Sequence, residues 1–295
     1  GITSMDIVRR IKRASGVKRV GHGGTLDPVA TGVVPICFGQ ATRMMEYLVS
    51  STKDYKTTIE LGVTTDTYDA LGQVTARADP SHVDLDSLQN AISSFKGVIE
   101  QVPPMFSALK RDGKRLYELA RAGIEVDREP RRVEVFAADL LDWSPPLVTL
   151  RVRCGRGFYM RSCAHDLGQA LGCGGHLKSL VRTRAGPFEI SDSVTLPDAE
   201  HMLADESWPT LLHTPDVVLR TMRAIVVGKR LEDMINGGRP LPSGVRIPSS
   251  KPGEQCRAYS VDGRFLAILG FQAAQQQWQP DKVFSVAYPE PILSR

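Results

Sequence analysis

Helix-type and strand-type patterns mix along this chain without the regular strand–helix–strand alternation of a parallel sheet, and that feature narrows the fold more than any other. From Tyr55 to Leu61 the residues alternate, with Tyr55, Thr57, Ile59 and Leu61 on one side and Lys56, Thr58 and Glu60 on the other, which reads as a half-buried strand. Arg132 to Trp143 and Leu147 to Cys154 read as two more strands joined at Ser144-Pro145-Pro146, and two further strands lie near Cys256–Ser260 and Arg264–Leu269. Helices are expected from about Ser4 to Ser15, with Ser4 as cap and Met5, Val8 and Ile11 as the inward stripe, and from Asp84 to Phe95. Others run from Arg115 to Ala122, from Arg161 to Leu171 and from Gly228 to Ile235. The expected fold is α+β, around a central, mostly antiparallel mixed sheet. An acidic, proline-dotted stretch from Ser191 to Asp216 sets an expected boundary, giving a domain over 1–214 and a small β-rich domain over 215–295.

Composition removes several classes. With 42% apolar and 24% charged residues, the 295-residue chain is no disordered tail, collagen or coiled coil. Its longest apolar stretches, such as 32–38, fall far short of the ~20 residues that span a bilayer. Five cysteines, none spaced Cys-x-x-Cys, argue against a disulfide scaffold or zinc ribbon and point to a reducing, cytoplasmic setting. A net charge of +4 is too small to identify a polyanionic partner. The basic run Arg9, Arg10, Lys12, Arg13, Lys18 and Arg19 by itself reads as a solvated helix face.

Chemistry concentrates in three places. The stretch Gly21-His22-Gly23-Gly24-Thr25-Leu26-Asp27-Pro28-Val29-Ala30-Thr31-Gly32 holds four glycines and a proline in twelve residues, so it reads as a loop whose backbone can approach a ligand closely. It fits neither the Walker A pattern nor the dinucleotide fingerprint, nor an Asp-Thr/Ser-Gly protease motif. Taken alone, a glycine-rich connection with a capping Asp explains it equally well. The six histidines form no pair at metal-ligand spacing. The second place, Arg151 to Arg161, ends a strand in Gly-x-Gly with four arginines and two aromatics, a composition that suits unstacked bases and phosphates as well as ordinary strand-end packing. Arg182 and Arg184 are expected to add positive charge there. The third, Lys53-Asp54-Tyr55-Lys56, sets a tyrosine between lysines at a strand start.

These segments together resemble the TruB family of tRNA pseudouridine-55 synthases. The resemblance is carried by the Gly21–Gly32 stretch, Gly39-Gln40-Ala41-Thr42-Arg43, Lys53-Asp54-Tyr55 and the run from Leu61 to Gly72. It continues through Val102-Pro103-Pro104-Met105-Phe106-Ser107-Ala108-Leu109-Lys110, the run from Arg115 to Gly123 and Gly157-Phe158-Tyr159-Met160-Arg161, in the family's order over about 1–190. It implies isomerisation of one uridine in the tRNA T-loop, with neither cofactor nor metal, by a monomer acting on the T-arm without guide RNA or membrane. It also implies a PUA-like C-terminal domain and an RNA-clamping insertion over 100–132.

The resemblance assigns roles residue by residue. Asp27 matches the catalytic aspartate and Arg161 the arginine that pairs with it, a pairing that favours a charged carboxylate. Tyr55 matches the tyrosine stacked on the flipped base, Tyr159 a second pocket residue, and Leu180 an apolar contact with the base. His22 matches the residue that fills the gap left by the flipped nucleotide, and Asp69 an acidic position near the site, where a turn-stabilising role serves as well. The family often has Thr-Tyr-Ile-Arg where this chain has Phe158-Tyr159-Met160-Arg161; the tyrosine and arginine are kept.

Overall fold

The computed structural model describes residues 1–111, 113–205, 207–242, 245 and 251–285. The chain packs into two compact units, each discontinuous in sequence: Gly1–Asp6, Gly24–Pro35 and Leu48–Ser193 form one, and Ile7–Gly23, Ile36–Tyr47 and Val194–Arg295 the other.

The first unit is built on a seven-stranded sheet. Along its main path the strands run Phe188–Glu189, Gly175–Ala185, Lys53–Leu61, Leu147–Cys154, Arg131–Ser144 and Gly97–Gln101, each antiparallel to its neighbours. The short strand Ala30–Gly32 joins Gly175–Ala185 in parallel. The sheet is therefore mixed, and it is mostly antiparallel as the lack of βαβ alternation predicts. The Lys53–Leu61 strand alternates as read, with Thr57, Ile59 and Leu61 buried. It starts two residues earlier than expected because buried Lys53 donates from Nζ to the carbonyls of Leu48, Val49 and Ser51 at 2.6–2.8 Å.

Helices Leu85–Ser93 and Met160–Ala170 supply Leu88, Ile92, Ala164 and Leu167 to a core shared with Ile59, Val148, Leu150 and Leu177. Each fully buried aliphatic side chain contributes ~1.5–3 kcal/mol. The second helix carries Arg161, and the sheet holds it at close range. A Cβ on Gly168 would lie 2.1 Å from the carbonyl carbon of Gly174, so only glycine permits this approach. Its N-terminus is tied down by Ser162 Oγ, which donates to Val102 O at 2.7 Å. Gln101 grips the Tyr159 backbone twice, accepting from its N–H at 2.8 Å and donating to its carbonyl at 3.1 Å.

In the second unit, strands Ala224–Val227, Gln255–Ser260, Phe265–Gln272 and Gln277–Val283 form one sheet, the first pair parallel and the rest antiparallel. Leu266, Leu269 and Phe271 join one apolar cluster with Ile235 and Trp278, while Phe265 and Ile268 join another with Met44 and Leu219, so the Phe265–Gln272 strand is buried on both faces. Strand Val20–His22 pairs with Ile36–Phe38.

Several details differ from the sequence reading. Helix Ser4–Ser15 forms, but Thr3 caps it. Thr3 Oγ1 accepts from the Asp6 N–H, and Asp6 accepts from the Thr3 N–H at 2.8 Å. Ser4 is buried and exchanges hydrogen bonds with the backbone of Leu26 instead. Met5 is exposed, leaving Val8 and Ile11 to face inward. The glycine-rich stretch is no uniform loop: three-residue strands occupy both its ends. Gly175–Ala185 and Gly97–Gln101 are strands that the pattern did not reveal, and so are Ala224–Val227 and Gln277–Val283.

Candidate active site

Asp27 stands at the head of a tight turn. Its carbonyl accepts from the Ala30 N–H at 2.9 Å, and Pro28 occupies the second position, where its fixed φ suits the bend. The Ala30–Gly32 strand then docks on Gly175–Ala185, setting Ala30 opposite Leu180 and Gly32 opposite Arg182. Gly32, at φ +104°, allows that approach, because a Cβ there would fall 2.2 Å from the Arg182 carbonyl oxygen. The turn leaves the Asp27 carboxylate partly open, with 32% of the side chain exposed.

Arg161 meets that carboxylate from the first turn of helix Met160–Ala170. Its Nε donates to Asp27 Oδ2 at 2.9 Å and its Nη2 to Asp27 Oδ1 at 3.1 Å, a two-pronged pair. Nη2 also donates to Phe106 O at 2.9 Å, and Asp69 Oδ2 lies 3.8 Å from Nε. The guanidinium is 5% exposed, so its charge is balanced by these partners with little help from water. Asp69 makes two kinds of contact. It faces Arg161, and its Oδ1 holds a turn by accepting from the Leu71 N–H at 3.0 Å and Thr67 Oγ1 at 2.8 Å.

Two tyrosines border the same carboxylate. Tyr55, on the strand between Leu147–Cys154 and Gly175–Ala185, is opposite Val152 on one side and Arg182 on the other. Burial pushes its phenol up to about 12, against the pull of the nearby Arg182 guanidinium, and Asp27 is close enough to add to the rise. Tyr159 precedes helix Met160–Ala170. Burial raises its phenol too, with Asp27 adding to the rise and the nearby Ser107 and Arg161 opposing it. Leu180 is buried in the core cluster against which Ala30, Tyr55 and Phe158 pack. Asp27, Tyr55, Asp69, Tyr159, Arg161 and Leu180 thus come together in one unit. His22 belongs to the other unit, half-buried on its strand opposite Ile36.

Arg182 is the site residue that sequence reasoning misplaced. Expected as added positive charge, it is 1% exposed. Its Nε donates to Val33 O at 2.7 Å, and its Nη1 and Nη2 donate to Thr25 O and Gly24 O, each at 3.2 Å. Gln101, equally unforeseen, is 2% exposed beneath Tyr159. A buried arginine on a strand has no signature in a single sequence.

Segment 100–132 presents charge outward. Lys110, Arg111, Lys114, Arg115 and Arg121 are exposed, and Arg115 and Arg121 both lie over the Tyr117 ring, at 5.8 and 5.5 Å from its centroid. Among the described residues no three His, Cys, Asp or Glu side chains gather as a metal site, and no helix is long and apolar enough to cross a membrane.

Known proteins resemble the chain over nearly its whole length. Residues 12–160 match the N-terminal domain of the TruB family of pseudouridylate synthases, and residues 161–226 match a tRNA pseudouridylate synthase B C-terminal domain. The tRNA pseudouridine synthase B of Dehalococcoides mccartyi is 40% identical over 291 residues, spanning 98% of this chain and 95% of that one. Its namesake from Symbiobacterium thermophilum is 47% identical over 244 residues, 81% of this chain and 80% of that one. Among solved structures, a Cbf5-Nop10-Gar1 complex matches at a TM-score of 0.75 and 24% identity, over 97% of this chain and 82% of that one. An H/ACA ribonucleoprotein bound to a substrate RNA containing 2′-deoxyuridine matches at 0.73 and 22%, over 98% and 84%. At such identities these structures speak for the fold alone.

Proposed function

The chain belongs to the TruB family of pseudouridylate synthases, and from that membership we propose that it isomerises uridine 55 in the T-loop of tRNA to pseudouridine. The observation that carries the reading is the partly open Asp27 carboxylate gripped at both oxygens by a buried Arg161 between two tyrosines.

A base inside a folded T-arm cannot reach such a carboxylate, so the nucleotide swings out first, at a cost of a few kcal/mol in lost stacking. His22 fills the vacated space and lowers that cost. The everted uracil stacks on Tyr55, with Leu180 as an apolar contact and Tyr159 beside it. Asp27 then acts at the ribose, either attacking C1′ or taking the 2′ proton as the N-glycosidic bond breaks. Arg161 keeps the carboxylate turned toward the sugar, and Asp69 steadies Arg161 from behind. The freed uracil rotates and C5 bonds to C1′, as Asp27 leaves C1′ or returns the proton to C2′; the C5 proton then departs and N1 takes one up. Tyr55 is the acceptor candidate. Its phenol is neutral at pH 7, so a base role runs through the ionised minority that Arg182 favours.

Residues 1–214 act as the catalytic domain, with 100–132 clamping the T-arm phosphates, and 215–295 as a PUA-like RNA-binding domain. The protein works as a cytoplasmic monomer on free tRNA, without guide RNA, metal or cofactor. The test is an unmodified T-arm hairpin tritiated at C5, where conversion releases tritium. Wild type should release it without guide RNA. Asp27→Asn should release none while binding the hairpin as before. Isomerisation by the asparagine variant refutes the mechanism, and binding without conversion by the wild type refutes the enzyme reading.

A further inference from the structure

We propose that Arg182 is a positioning residue for this reaction: one buried guanidinium clamps both ends of the Asp27 loop together, on the strand beside Tyr55. The inference rests on the reading of Asp27 and Tyr55 given above. Residues 24–33 leave and re-enter the sheet region around this side chain. Nη2 and Nη1 hold the Gly24 and Thr25 carbonyls before Asp27, Nε holds the Val33 carbonyl after it, and the Arg182 carbonyl accepts the Val33 N–H at 2.9 Å. On the opposite side of the same strand Arg182 is in register with Tyr55, whose phenol feels its charge.

The chemistry of this partner set favours geometry over stability. Its described side-chain hydrogen bonds go to three carbonyls, with no carboxylate among them. Burying a cation without a counter-charge is costly, and an apolar side chain would fill the space more cheaply. What an apolar filler cannot do is hold several acceptors at fixed angles, as the planar fork does. The loop needs such a grip. Gly24 at φ +137° and Gly32 at φ +104° give its backbone wide freedom, while the carboxylate between them must meet one carbon of a ribose. Arg161 fixes the carboxylate from the side chain, and Arg182 fixes the backbone that carries it.

The experiment compares wild type, Arg182→Lys, Gly24→Ala and the double variant on the tritiated hairpin, measuring single-turnover rate, hairpin dissociation constant and thermal midpoint. Lysine keeps the charge but reaches fewer acceptors. Alanine shifts the Gly24 carbonyl from a partly exposed loop, leaving Arg182 in place. Each single variant should slow turnover by roughly a hundredfold with hairpin affinity within about twofold of wild type, and the double variant should lose far less than the product of the two, because both break one grip. A folded Arg182→Lys protein with wild-type turnover overturns the proposal, as does a strictly multiplicative double variant. If Arg182→Lys does not fold, Gly24→Ala decides: slowed turnover at unchanged affinity supports the clamp, and full turnover overturns it. A wild type that never converts the hairpin overturns the functional reading itself, a result distinct from any of these.

Discussion

Replacing Arg161 by lysine tests the link between site geometry and rate most sharply. The guanidinium makes three close hydrogen bonds at 2.9–3.1 Å, two to Asp27 and one to Phe106 O. An ammonium on a shorter stem can keep one or two of them, and no single point satisfies both carboxylate oxygens in the fork's plane. Charge-assisted bonds are worth ~1.5–3 kcal/mol each, and water entering over the partly exposed Asp27 returns some of that, leaving a stability loss of about 2–3 kcal/mol. The rate effect follows from position. A carboxylate released by about 1 Å loses roughly a hundredfold, equivalent to about 2.7 kcal/mol on the barrier. Arg161 is 5% exposed beneath the carboxylate, so hairpin affinity should stay within a factor of about two. Single-turnover tritium release measures the rate, fluorescence titration the affinity, and denaturant unfolding the stability. A lysine variant that turns over within about threefold of wild type would show that charge alone holds Asp27 and would refute the role given to the fork.

Three further outcomes are expected. Gly32→Ala puts a Cβ 2.2 Å from the Arg182 carbonyl oxygen at a φ of +104°, so it should cost about 2–4 kcal/mol by denaturant unfolding, and a loss below about 1 kcal/mol would refute the close approach. Burial holds the Asp166 carboxyl up to about 6 against an ordinary 3.8, so the native state binds more protons than the unfolded chain between those values. Stability from this group is full below about pH 3.8 and lost as the pH rises through about 6. Asp166→Asn should therefore gain on the order of 2 kcal/mol over wild type at pH 7 and little below pH 4, and an equal difference at both pH values refutes the burial account. Replacing Lys110 and Lys114 by glutamine should flatten the dependence of hairpin affinity on salt by ~0.7–0.9 in log–log slope for each phosphate left unneutralised, and an unchanged slope removes these residues from the interface.

The legible parts of the fold were those with one clean period. Lys53–Leu61 alternates because its two faces differ in burial, and Leu85–Ser93 announces itself through the helical spacing of Leu88 and Ile92. Gly175–Ala185 was hidden for a local reason. Register shifts at Leu177/Ser179 and Arg182/Arg184 break its period of two, and its fully buried arginine reads as surface. Gly97–Gln101 is an edge strand, and Val98 and Glu100 are both exposed, so no apolar face marks it. The Ser4 cap failed for the same kind of reason. A serine at a helix start satisfies the local rule, but the backbone of Leu26, far along the chain, claimed the hydroxyl and left the capping to Thr3.

By itself, the order of residues determined the α+β class and the turn at Asp27, and through the family resemblance it nominated Asp27, Tyr55, Tyr159 and Arg161 as site candidates. Turn chemistry, strand alternation and short motifs are all contained in neighbouring residues. Tertiary structure alone decided the two-pronged geometry by which Arg161 grips Asp27 across 134 positions, the 3.8 Å approach of Asp69 to the same guanidinium, and that Arg182 lies buried beside the loop and Tyr55 instead of facing solvent. A buried charge is tolerated only where its acceptors have already been gathered. Those acceptors are backbone carbonyls and side chains from distant segments, so which arginine is interior is settled only when the sheet closes.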